Sequence, residues 1–336
     1  MAEPPRVLIR DLALVAPVTG EDSPNRTGSR FGFLATDLGI LWDDGTGGVL
    51  AAFGDTYGEG WRGPGAGLRT DDHRRNIIAR STATDLSAGL PLDWVAEDRQ
   101  GHAGEVLPRD PTRWRESTVI PTAGIAAGGT QYLHYMSVRR WGTPGVWRTN
   151  YGGLASSADG GRSWTKESSA RWRNTPLGRQ PFQMGAFARD ADWVYLFGTR
   201  NGRFSPIHLA RVEPAGVGDP RRYQFRTRDG WSRSWRRARP VASGPAGELS
   251  VAFHAGLGCW LMVHLSDRAG LIVLRSAHRP EGPWSDGVPL VSGRDYPALY
   301  GGYLHPGSLR GEHIYFTMSQ WGPYNVFLMR ARVDRM

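Results

Sequence analysis

The stretch Leu38–Asp55, LGILWDDGTGGVLAAFGD, consists of two apolar runs joined by Asp, Gly and Thr, the composition of a β-hairpin and its turn. The layout returns four times, as VIPTAGIAAGGTQYLHYMSV (Val119–Val138), MGAFARDADWVYLFGT (Met184–Thr199), LSVAFHAGLGCWLMVHLS (Leu249–Ser266) and YLHPGSLRGEHIYFTMS (Tyr303–Ser319). A third apolar run follows each hairpin. NIIARST (Asn76–Thr82), IHLARVE (Ile207–Glu213), LIVLRSA (Leu271–Ala277) and VFLMRAR (Val326–Arg332) close on arginine and a small or β-branched residue, and YGGLASS (Tyr151–Ser157) has serine there. Several are followed by a turn carrying an aromatic residue: LPLDW, SADGGRSW and EGPWSD. A unit of three or four strands returning about every 60 residues is the cadence of a propeller blade. The spacing predicts an all-β, five-bladed β-propeller with residues 1–336 as one domain. RVLIRDLALVA (Arg6–Ala16), left over at the start, is expected to close the last blade as its outer strand.

Composition supports this and removes other classes. The 45 glycines and 23 prolines in 336 residues suit a turn-rich β protein. No apolar run approaches the roughly 18 residues a spanning helix needs. The lone cysteine, Cys259 in GLGCWLMVHL, excludes an intrachain disulfide and a cysteine-rich zinc site, and reads as a buried small hydrophobe. Net charge is +9 and almost all the basic charge is arginine, Lys166 being the one lysine. The arginines are scattered, with RRW, RRY and WRRARP the densest groups, which argues against a nucleic-acid-binding protein.

SADGGRSW (Ser157–Trp164) fits the Asp-box pattern Ser-x-Asp-x-Gly-x-x-Trp of propeller glycosidases, a turn in which Asp159 has a structural role. In a propeller, the start of each innermost strand and the end of its hairpin partner meet at one mouth of the central channel. Strand starts bring Asp37, Glu116, Gln183, Glu248, and Tyr303 with His305 to that mouth. Strand ends bring Asp55, Arg139 with Trp141, Arg200 with Asn201, His264 to Asp267, and Gln320 with Trp321. In the first hairpin, Asp37 and Asp55 are equidistant from Thr46, so an unbulged ladder sets them face to face. Like charges facing across strands destabilise a sheet, so such a pair points to function. Two close carboxyls divide into one with a raised pKa and one left ionised, as glycosidic cleavage requires. Facing positions predict carboxyls about 5 Å apart, the retaining range. Pairing of an aspartate with Glu116 would favour inversion. Two alternatives are Asp55 as a turn-former with Asp37 at a strand start, and a calcium or magnesium site, for which no Asp-rich loop is present.

TDLGILWDDG, AFGDTYGEGW, RRNIIARST, ESTVIPTAGI, QYLHYMSVRRWG, VWRTNYGGLASSADGGRSW and SQWGPYNVFLM together resemble the five-bladed endo-D-arabinanases of glycoside hydrolase family 183. The resemblance covers nearly the whole chain and is most specific in the first two blades. It implies cleavage of the α-linked D-arabinofuranose chains of mycobacterial arabinogalactan and lipoarabinomannan, in actinobacteria or their viruses. The reaction needs no cofactor, although a structural ion in the channel remains compatible with the fold. The family's acidic pair falls on Asp37 and Asp55, with Asp55 as nucleophile or base, Asp37 as acid, and Glu116 as the next catalytic candidate. Trp61, Trp141 and Trp321 are candidate stacking platforms for furanose rings. Arg75, Asn76, Arg139, Asn150, Gln183, Arg200, Glu248, Tyr303, His305 and Gln320 are candidate partners for sugar hydroxyls. His134 reads as a core histidine. A wall polymer as substrate implies a secreted protein or one released at lysis, although the first residues lack the layout of a secretory signal. The alternative is a non-catalytic, lectin-like propeller on the same envelope. A sialidase-like reading, prompted by the Asp box, requires six blades.

Overall fold

The computed structural model describes residues 3–68, 70–110 and 115–336. It is a five-bladed β-propeller almost without helix, and the innermost strands of consecutive blades pack side by side around a closed ring. Blade one is Leu38–Asp43, Val49–Phe53, Ile77–Ser81 and Trp94–Val95; blade two is Thr118–Ala127, Thr130–Trp141, Trp147–Ser157 and Thr165–Arg173. Blade four is Leu249–His254, Cys259–Ser266, Leu271–Ala277 and Val288–Ser292. Blade five is Leu299–Leu304, His313–Gln320 and Asn325–Arg335, with Val7–Pro17 as its outer strand. That last pairing runs antiparallel from Val7 opposite Arg335 to Pro17 opposite Phe327, so the two ends of the chain share one sheet.

Blade three departs from the pattern. Its strands Met184–Arg189, Val194–Thr199 and Ser205–Val212 are regular, but its outer edge is divided. Pro240–Ala246 pairs with the first half of the third strand, and Gln224–Arg226, continued by Trp231–Ser232, pairs with the second half.

The repeated sequence features have direct physical roles. In the first hairpin, Asp44 Oδ1 accepts hydrogen bonds from the backbone N–H groups of Thr46 and Gly48 and from the Thr46 hydroxyl, which ties the turn. The third-strand arginine of that blade, Arg80, clamps the same carboxylate at 2.6 Å. Arg275 of blade four likewise donates to His264 Nε2 and to the Ser285 carbonyl, joining its strand to the outer edge. The Asp box folds as its residues require. Asp159 Oδ1 accepts from the Ser157 hydroxyl and the N–H groups of Arg162 and Ser163, while Trp164 Nε1 donates to the Gly161 carbonyl. Trp164 then meets Trp42 of blade one edge to face, with ring centroids 6.4 Å apart, so the motif locks two blades together. Partial burial opposes ionisation of Asp159, but the hydrogen bonds from Ser163, Ser157 and Arg162 outweigh it and bring its pKa down to about 2. Cys259 and His134 lie in the core, with burial holding His134 neutral and its pKa down to about 3.

Candidate active site

Ladder register sets which side chains reach the mouth. In blade one it shifts by one residue between Leu38 and Ile40, where Leu38 and Gly39 both have positive φ. This bulge corrects the expected face-to-face pairing. Asp37 lies opposite Gly54, whose N–H donates to the Asp37 carbonyl at 3.1 Å, and Asp55 is one residue beyond. Without a side chain, Gly54 leaves room for the acid, since a Cβ there would sit 2.3 Å from Asp37 Oδ1. Bulged strands commonly border functional sites because they re-aim a side chain. The inner strands of the adjoining blades two and five are bulged as well, between Pro121 and Ala123 and between Tyr300 and Tyr303, whereas those of blades three and four are regular.

The two acids have contrasting surroundings. Asp37 Oδ2 accepts hydrogen bonds from the phenols of Tyr300 at 3.0 Å and Tyr324 at 3.3 Å, and its buried Oδ1 has no partner among the described residues. Burial first, and then the negative charge of Asp55, push its pKa up to about 8, against the lowering effect of the Tyr300 hydrogen bond. Asp37 is therefore protonated at neutral pH. Asp55, with its side chain 20% exposed, accepts hydrogen bonds at Oδ1 from His73 Nε2 at 2.9 Å and from the Thr118 hydroxyl at 3.3 Å. One carboxyl thus holds a proton while its neighbour sits among donors.

An aromatic wall encloses the pair. His73 stacks on Tyr57 with centroids 4.9 Å apart, Tyr57 meets Tyr324 at 5.6 Å, and Tyr324 meets Trp321 at 5.4 Å. Gly65 of the blade-one loop packs on the Trp321 indole, its N–H donates to the Gly322 carbonyl, and its own carbonyl accepts from Trp61 Nε1. Trp61 and Trp321 are thereby held by one glycine contact, and Trp321 stays 51% exposed. Across the mouth, Arg203 bridges Glu248 at 2.8 Å and Asp267 at 3.1 Å, and its guanidinium lies over the rings of Tyr300 and Trp147. Trp141, 44% exposed, packs edge-on against Trp147.

Glu116, expected as a further catalytic candidate, and several residues expected to bind sugar are engaged elsewhere. Glu116 is fully buried, with Oε1 accepting from the Ser137 hydroxyl and Oε2 from the Asp110 N–H, and Lys166 Nζ lies 3.8 Å away; this is an anchor for the start of blade two, not a mouth acid. Asn150 joins the same network by donating to the Ser137 hydroxyl and the Arg115 carbonyl. Asn76 is buried and uses its whole amide to tie blade one to Leu107 and Val119. Gln183 is buried among Thr149, Trp172 and Gln180, and Arg75 is paired with Glu105 at 3.0 Å. In blade five the inner strand begins at Leu299, not near Tyr303. His305 therefore lies at the end of the strand away from the mouth, where its Nδ1 accepts from the Gly307 N–H, and burial brings its pKa down to about 4. Tyr303 lines the narrow central channel with Leu38, Ile120, Met184 and Glu248. Arg139 and Arg200 stay exposed at the mouth ends of their strands, and Gln320 donates to the Pro297 carbonyl. Among the described residues, no cluster of three or more His, Cys, Asp or Glu side chains forms a metal site. Tyr300, Tyr324, His73, Thr118 and Arg203 were not apparent from sequence. Tyr300 lies upstream of Tyr303, where the sequence pattern starts the last hairpin, and the others come from loops or neighbouring strands.

The ring is a five-bladed propeller, a fold also found among glycoside hydrolases. A native arabinanase of Bacillus subtilis superposes with a TM-score of 0.51 at 14% identity, over 90% of this chain and 96% of that one. A family 117 glycoside hydrolase of the marine bacterium Zobellia galactanivorans gives 0.53 at 13%, over 98% and 91%. At such identities the likeness is one of fold. The chain belongs to the family described as Domain of unknown function (DUF4185), which matches residues 22–330. It is also 34% identical to Notoamide biosynthesis cluster protein J of Aspergillus sp. (strain MF297-2), over 90% of this chain and 83% of that protein. No helix among the described residues is long and apolar enough to cross a membrane.

Proposed function

We propose that this protein is a glycoside hydrolase that cleaves internal α-D-arabinofuranosyl linkages of D-arabinan, with Asp37 and Asp55 as its working pair. The observation that carries this reading is the contrast within the pair, one carboxyl protonated at neutral pH and the other set among hydrogen-bond donors. Asp37 gives its proton to the departing glycosidic oxygen while an Asp55 oxygen bonds to the anomeric carbon and the C–O bond breaks. Water, deprotonated by the Asp37 carboxylate, then releases the sugar from Asp55 with net retention. The charge of Asp55 acts on Asp37 as that of a neighbouring group, and a close pair takes this course in preference to inversion. Tyr300 and Tyr324 fix the acid, His73 and Thr118 orient Asp55, and Trp61 and Trp321 offer ring faces to furanose units. The choice of D-arabinan rests on the motif resemblance. The Aspergillus relatives are named for a notoamide biosynthesis cluster and not for a polysaccharide, so the test includes small glycosides.

The protein is incubated with mycobacterial arabinogalactan, L-arabinan, galactan and a set of aryl furanosides, and reducing ends and product sizes are followed. Arabino-oligosaccharides released from arabinogalactan alone, with the α-anomer first in proton NMR of fresh digest, is the expected result. Binding to arabinan without new reducing ends would favour a lectin-like module, and turnover of another glycoside would replace the substrate.

A further inference from the structure

The face opposite the catalytic mouth carries a second concave site. Residues 220–240, the excursion that divides the outer edge of blade three, hold eight arginines and one acid, Asp229, so this stretch supplies +7 of the protein's net +9. The excursion folds as the short ribbon Gln224–Arg226 and Trp231–Ser232, paired with the half of the third strand farther from the mouth. Between this ribbon and the blade-four loop lies a cleft of about 670 Å³ lined by Arg226, Trp231, His278, Arg279, Glu281 and Pro283. Its volume is in the range of small-molecule and oligomer sites.

The walls are held rigid. Arg211 is sandwiched between Trp193 and Trp231, 4.0 and 4.1 Å from their ring centroids, and is tied by its Nε to Gln224. Arg226 donates to the Gly230 carbonyl, and the Arg239 N–H donates to the Arg226 carbonyl, which brings a further arginine beside the cleft. His278 and Arg279 are exposed.

We propose that this cleft binds an acidic polysaccharide carrying carboxylate groups. Planar guanidinium groups such as those of Arg226 and Arg279 match carboxylates in two-point fashion. Glu281 lies in the same cleft, and its carboxylate oxygens can accept hydrogen bonds from sugar hydroxyls. Stacked bases need open aromatic faces, yet Arg211 lies over Trp231 and Arg236 over Trp235, so the surface is poorly suited to single-stranded nucleic acid. Because the cleft faces away from the mouth, an acidic polymer held there leaves the catalytic side open, and the site functions as a tether. The inference does not depend on the activity assigned to the mouth.

Calorimetric titration of the full chain with polygalacturonate, neutral dextran and oligo(dT) tests it without catalysis. Polygalacturonate is expected to bind, dextran not to, and oligo(dT) to bind at least about tenfold more weakly. The double variant Arg226→Ala with Arg279→Ala is expected to lose about tenfold or more in affinity with its melting temperature kept, and Arg279→Ala alone provides the test if the double variant does not fold. No binding of polygalacturonate, equal binding of oligo(dT), or undiminished binding by the arginine variants would each overturn the proposal.

Discussion

Replacing Asp37 by Asn should make the protein more stable, and increasingly so as the pH rises. The fold holds the Asp37 carboxyl at a pKa of about 8 against 3.8 in a free chain. Its acid form is therefore favoured in the folded state. Below pH 4 the carboxyl is protonated in both states and imposes no cost. As the pH climbs from about 4 to about 8, the unfolded chain ionises freely and the folded one does not, so stability falls, and the loss is complete above the folded pKa. Each pKa unit corresponds to about 1.4 kcal/mol, which gives about 4 kcal/mol at pH 7 and about 6 kcal/mol at pH 8.5 as upper values. Asparagine keeps the shape and an acceptor for the Tyr300 and Tyr324 phenols but does not titrate. Parallel urea melts of the two proteins from pH 4.5 to 8.5 cancel every other titrating group. The variant's advantage should widen by several kcal/mol across this range. A difference constant within about 0.5 kcal/mol would mean that Asp37 ionises normally, and would refute the division of roles within the pair.

Gly54→Ala places a Cβ 2.3 Å from Asp37 Oδ1 and must displace the acid; a fall of about a hundredfold in kcat is expected with the melting temperature little changed, read by steady-state kinetics and thermal melts. Tyr300→Phe removes a hydrogen bond that favours the ionised form of Asp37, so the acid's pKa should rise further and the alkaline limb of the kcat profile should move to higher pH. Asp159→Ala unties the Asp-box turn. The depressed pKa of this exposed carboxylate, discounted for solvent screening, corresponds to about 1 kcal/mol that is present above pH 4 and lost as the pH falls toward 2, so melts of wild type and variant should differ at pH 7 and converge near pH 2.

The ring was legible in the sequence because a hairpin repeats visibly: apolar runs, carboxylate-bearing turns and a third strand closing on arginine recur in step. The outer strand at Val7–Pro17 was legible by elimination, and the Asp-box turn by its own spacing. The mouth was legible only in part. That Asp37 and Asp55 reach the same end follows from counting away from Thr46, but the one-residue shift at Leu38 does not, because a leucine at positive φ leaves no compositional trace. Starting the last hairpin at Tyr303 sets its inner strand too late: Gly301–Gly302 form a bulge inside that strand, which brings Tyr300 to the acid and sends His305 to the far side. Asn76, Gln183 and Glu116 illustrate a further limit. A polar side chain at a strand start suits a ligand or a neighbouring blade equally well, and only the fold shows which partner holds it.

The account depends most on the two mouth carboxyls acting together, and turnover of arabinogalactan by Asp37→Asn and Asp55→Asn, each checked for an intact melt, measures this directly. Both variants are expected to release less than a thousandth of the wild-type reducing ends, of the order expected when an acid or a nucleophile is removed. Activity within about tenfold of wild type in either variant would contradict it.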